Sequence, residues 1–97
     1  MYMKMNGIEK VTNRIEEAIE NEETFYVTYI SPEMTINEMK FSVDDIWSFE
    51  QNEICFFNEQ VGFSLYITLT GMRYDKTEDW VANDISAENK VSISFFK

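Results

Sequence analysis

The sequence predicts an α+β domain in which one N-terminal amphipathic helix packs on an antiparallel sheet of four to six strands. A small open β-barrel with one helix is the alternative. Two observations carry this reading. Apolar residues recur at spacings of three and four over residues 6–22, the period of a helix with one buried stripe. From Thr24 onward the period becomes two, in short runs rich in aromatic and β-branched residues and separated by turn signals. With no internal repeat, low-complexity tract or Pro/Gly-rich linker, residues 1–97 read as a single domain.

In the helix the stripe is Ile8, Val11, Ile15, Ala18 and Ile19. Asn6 is the expected N-cap, and Glu9 three residues on completes a capping-box pattern. Lys10 and Arg14 are assigned to the outer face, followed by Glu16, Glu17, Glu20, Glu22 and Glu23. That order runs against the helix dipole, which favours cations at the C-terminal end.

Thr24–Ile30 alternates Phe25, Val27 and Tyr29 against Tyr26, Thr28 and Ile30 and reads as a strand, broken by Ser31-Pro32-Glu33. Glu38–Val43 places Met39, Phe41 and Val43 on one face. Asp44-Asp45 signals a turn, and Ile46–Phe49 and Ile54–Phe57 are two further short strands. Val61–Thr70 is the cleanest alternation, with Phe63, Leu65, Ile67 and Leu69 facing inward, and Gly71 ends it. Thr77–Asp84 is compatible with a short helix, because Glu78 and Asp79 follow a capping threonine. Val91, Ile93 and Phe95 mark an exit strand.

Composition then removes whole classes of chemistry. The chain has 18 acidic and 8 basic residues, no histidine, one cysteine and a net charge of −10. Without histidine there is no Ser-His-Asp or Cys-His mechanism, and one cysteine alone builds no zinc site. Three isolated glycines make no phosphate loop. Asp75, Thr77 and Asp79 occupy the first, third and fifth places of a calcium loop, but Trp80 and Ser86 stand where glycine and glutamate are required. No cofactor or metal is expected, and an enzyme is disfavoured. Cys55 lies in an apolar strand and reads as a buried thiol. No apolar run approaches the ~20 residues that span a bilayer. Met1–Met5 lacks the apolar stretch of a signal peptide, so the expected location is the cytoplasm, the host's if the chain is phage-encoded.

The charge is unevenly spread. Residues 15–60 hold twelve acids against Lys40 alone, whereas residues 61–97 hold five acids against four bases. A field of that size opposes compaction and exceeds what solubility needs. It fits a cationic partner and repels nucleic acid itself. Aromatic residues interleave with the acids, and tyrosine and tryptophan are favoured interface anchors. The expected partner-binding residues are Glu16, Glu17, Glu20, Glu22, Glu23, Tyr26, Asp44, Asp45, Trp47, Glu50 and Glu53. Tyr66 is a further candidate for surface contact, while Phe25, Phe41, Phe56 and Phe63 are assigned to the core.

In size, charge and lack of catalytic machinery the chain resembles the small acidic inhibitors of phages and mobile elements, the DNA-mimicking anti-CRISPR and anti-restriction proteins. The resemblance is one of general character and carries no residue roles. It implies a basic protein as partner, a nuclease or CRISPR effector, blocked without turnover and without direct nucleic-acid or membrane binding. The alternatives are an immunity protein or antitoxin that neutralises a nuclease toxin, and a structural assembly subunit that associates through its sheet edges. A homodimer is compatible with either.

Overall fold

The computed structural model describes residues 7–50, 52–83 and 88–96. The expected cap at Asn6 lies outside them. Helix α1 (Gly7–Glu20) buries Val11, Ile15 and Ala18 completely, as its stripe requires. It ends in a Schellman turn: Glu23 N–H donates to Ala18 O at 2.9 Å and Glu22 N–H to Ile19 O at 3.1 Å. Glu22 takes the left-handed conformation at φ 52°, normally glycine's place.

Strand β1 (Thr24–Ile30) follows at once and pairs with β2 (Thr35–Phe41) through a turn closed by Ser31 and Met34. A register shift falls between Val27 and Tyr29, where Glu38, at φ 51°, donates its amide to Thr28 Oγ1. Val43 leaves the strand for a 3₁₀ turn (Val43–Asp45). Asp45 caps that turn, its carboxylate accepting the Ser42 amide at 2.8 Å. The chain continues through β3 (Ile46–Glu50), β4 (Glu53–Phe56), β5 (Leu65–Thr68), β6 (Arg73–Asp75), β7 (Trp80–Ala82) and β8 (Lys90–Phe96).

The strands form two antiparallel sheets, a larger one in the order β2-β1-β8-β7-β6 and a smaller one in the order β3-β4-β5. The α+β class therefore holds, the strands divide between two sheets, and the described residues close no barrel. Three aromatic rings join the sheets. Phe56 of β4 stacks on Phe41 of β2 at 4.8 Å between centroids and meets Phe25 of β1 at 5.6 Å. Phe25 in turn packs edge-on against Phe95 of β8 at 5.4 Å.

Three expectations are corrected. The alternation over Val61–Thr70 pairs only at Leu65–Thr68, and Phe63 is 44% exposed rather than in the core. Gly62, at φ 73°, turns the chain just before Phe63, so the strand cannot extend back through it. Thr77–Asp84 holds no helix over its described residues. Glu78 donates its amide to the Asp75 carboxylate, Asp79 sits at φ 55°, and the segment forms the β6–β7 turn and β7. Arg14 does not face outward: it is 6% exposed. No helix among the described residues is long and apolar enough to cross a membrane.

Candidate functional site

Arg14 organises the charge on one side of the molecule. Its Nη2 donates to Glu23 Oε1 at 2.7 Å, its Nε to Asp79 Oδ1 at 2.7 Å, and its Nη2 again to Asp79 Oδ2 at 2.9 Å. The guanidinium carbon also lies 4.3 Å from the centre of the Phe95 ring. Its hydrogen bonds to the carboxylates of Asp79 first, then Glu23, hold the Arg14 proton far above its ordinary range against the opposing effect of burial. Tyr74 completes the group by donating its hydroxyl to Asp79 Oδ1 at 3.1 Å.

This corrects one expected binding residue. Glu23 is 1% exposed and neutralised by Arg14, so it presents nothing to a partner. A signal for this was present in the sequence. Arg14 lies three residues after Val11 and four before Ala18, in register with the apolar stripe. A cation placed there must be buried and therefore needs acids within reach.

The remaining helical acids, Glu16, Glu17 and Glu20, are exposed, as is Glu22 in the turn beyond. Glu9, Asn13, Glu16 and Glu20 follow one another at spacings of three and four and so share one helix face. Glu9 and Glu16 line a groove of 390 Å³ with Phe49 and Glu50 of β3. The structure thus brings Glu9 and Glu16 of the helix and Glu50 of β3, far apart in the sequence, to one groove.

Strand β3 connects that groove to a second acidic cluster. At its start lie Asp44 and Asp45 in the 3₁₀ turn, and at its end Glu50 pairs directly opposite Glu53 of β4. Like charges facing each other across strands are destabilising. Between the two ends Trp47 is 67% exposed and stacks on Phe57 at 5.4 Å, beside a depression that Asp44, Asp45 and Glu59 share with Lys40. The register places Ser48, Cys55 and Tyr66 in one row of the same face, with Tyr66 58% exposed and Cys55 buried.

Five of the expected residues, Asp44, Asp45, Trp47, Glu50 and Glu53, therefore gather on the small sheet and its leading turn. Asp45 is partly committed to capping that turn. Tyr26 is separate: half-buried, it pairs with Lys40 and Ser94 on the outer face of the larger sheet. The aromatic partner Phe57 and the acid Glu59 were missed. Phe57 shares the parity of Cys55 along its strand, but the apolar run Ile54–Phe57 gives no clue to which side meets water. Among the described residues no group of three or more Cys, Asp and Glu side chains is placed to hold a metal ion. Comparison with protein-family descriptions, with curated proteins and with solved structures finds no match for this chain.

Proposed function

We propose that this chain is a non-catalytic acidic inhibitor that binds and blocks a basic nucleic-acid-binding protein, as an anti-defence protein of the anti-CRISPR kind would. The face of the small sheet docks on the partner, and carboxylates stand in for phosphates. One observation carries the reading: the exposed Trp47 stacked on the half-buried Phe57, with the exposed Tyr66 on the same small sheet and acids at both ends of β3. Aromatic anchors at the centre of a patch supply affinity, and surrounding charge supplies orientation and rate. The opposed Glu50 and Glu53 support it, because fold stability alone gives no reason to place them there. The site of action is the cytoplasm in which the target works.

The test is affinity capture from bacterial lysate at low and high salt, with duplex DNA as competitor. The expected result is retention of a nuclease or other nucleic-acid-binding protein that DNA or salt displaces. The variant Asp44→Lys/Trp47→Ala/Glu50→Lys is expected to lose that protein while keeping its fold. Retention by this variant equal to that of the parent chain would overturn the proposal.

A further inference from the structure

The outer face of the larger sheet carries a groove of its own, apart from the acidic aromatic face. Its cross-strand rows follow from the register. Arg73, Ala82, Ser92 and Thr28 lie side by side across β6, β7, β8 and β1, and Asp75, Trp80, Ser94, Tyr26 and Lys40 form the next row from β6 to β2. The small side chains of the first row leave a shallow groove of 320 Å³. Trp80 lines it, together with Arg73 on β6 and Lys90 near the start of β8. Among the described residues neither cation lies within ion-pair distance of a carboxylate.

The geometry suits one kind of ligand. Arg73 and Lys90 are two strands and two residues apart, roughly 12 Å between Cα atoms at 4.8 Å per strand and 3.4 Å per residue. Both side chains can close on one anionic group held between them. The Thr28 oxygen accepts the Glu38 amide, which leaves its hydroxyl proton free to donate. Trp80 offers an aromatic wall beside a floor of Ala82 and Ser92, space for a flat ring. The volume is at the small end of ligand sites. A polyanion would set its further charges against the net −10 of the molecule, whereas a ligand with a single phosphate would not.

We propose that this groove binds a small planar anion of the mononucleotide class, its ring against Trp80 and its phosphate between Arg73 and Lys90. The site is separate from the acidic aromatic face and does not depend on the function proposed for it.

Trp47 and Trp80 are the two tryptophans, so Trp47→Phe leaves Trp80 as the only indole reporter. This variant is titrated with AMP, adenosine, inorganic phosphate and a single-stranded oligonucleotide, and Trp80 fluorescence is followed. AMP is expected to give a saturable change, with adenosine and phosphate each at least tenfold weaker. Arg73→Ala and Lys90→Ala, both at exposed positions, are expected to weaken AMP about tenfold each, the scale of one charge-assisted hydrogen bond. Circular dichroism confirms that the variants remain folded. The absence of a saturable AMP response, or an unchanged response in the Arg73→Ala/Lys90→Ala double variant, overturns the proposal. So does an oligonucleotide that binds more tightly than AMP, which would make the face a nucleic-acid surface instead.

Discussion

Arg14 and Asp79 meet through two parallel hydrogen bonds, Nε to Oδ1 at 2.7 Å and Nη2 to Oδ2 at 2.9 Å, although 65 residues separate them in the chain. The pair fastens the helix to the β6–β7 turn, and Glu23 extends it to the start of β1. A buried ion group of this kind contributes little net stability against an apolar replacement, yet removing one partner leaves an uncompensated charge. Arg14→Ala is therefore expected to cost about 3–5 kcal/mol, because Glu23 has no access to water. Arg14→Met combined with Glu23→Leu should recover most of that loss. Urea denaturation of the three proteins measures both effects.

Tyr74 gives this cluster an alkaline signature. Burial first, and its bond to Asp79 second, raise its hydroxyl above the ordinary tyrosine value. The folded chain thus holds that proton more tightly than the unfolded chain. Stability from this source is complete below the ordinary value of about pH 10 and is lost as pH rises through the folded value. Tyr74 should ionise above the ordinary tyrosine range, and Tyr74→Phe should remove this part of the alkaline decline. Tyrosinate absorbance and melting temperature against pH are the measurements.

Glu50 and Glu53 predict a conflict between stability and binding. Glu53→Lys turns a repulsive cross-strand pair into an attractive one and should stabilise the fold by about 0.2–1 kcal/mol. The same change should weaken capture of a cationic partner and make the remaining capture less sensitive to salt. A variant that gains stability and keeps full binding would show that this pair takes no part in recognition.

The aromatic face separates affinity from folding. Trp47 and Tyr66 are largely exposed, so truncating each to alanine should change unfolding free energy by less than about 1 kcal/mol. In the complex each should cost about 2 kcal/mol or more if it anchors the interface. By contrast, Phe56→Ala removes the ring that joins the two sheets and should cost about 3–5 kcal/mol of stability.

Cys55, in the same row as Tyr66, is 1% exposed. Thiol reagents should label it only as fast as the native structure opens, and at once in denaturant. Rapid labelling of the native chain would mean that the small sheet opens on its own.

Local periodicity was enough to place α1 and β1 almost to the residue, because each buries one face against the core and its apolar spacing follows directly. It failed where the outcome depends on a distant partner. Composition alone does not separate Glu23 from the exposed Glu20 or Glu22; its burial shows only through its parity with Phe25 and Val27 and through Arg14, nine residues earlier on the apolar stripe. The alternation around Phe63 is genuine, but only the last part of it finds a strand to pair with. Thr77–Asp79 carries helix-start residues, yet the cross-strand pairing of Tyr74 with Val81 and the grip of Arg14 on Asp79 impose a turn. The site was legible as a block of charge with aromatics in it. Which acids share a face was not, because that depends on the β3–β4–β5 register.

The position of β8 sets the order of assembly. It lies between β1 and β7, and it joins Ile30 to Lys90 and Thr24 to Phe96, partners separated by more than half the chain. As the polypeptide emerges during synthesis, β1 has only its hairpin mate β2 until residues 90–96 follow. Through that interval the apolar edge carrying Phe25 and Val27 stays unpaired and open to the wrong strand. The abundance of negative charge in the stretch made meanwhile has a second use here: nascent copies repel one another while that edge waits.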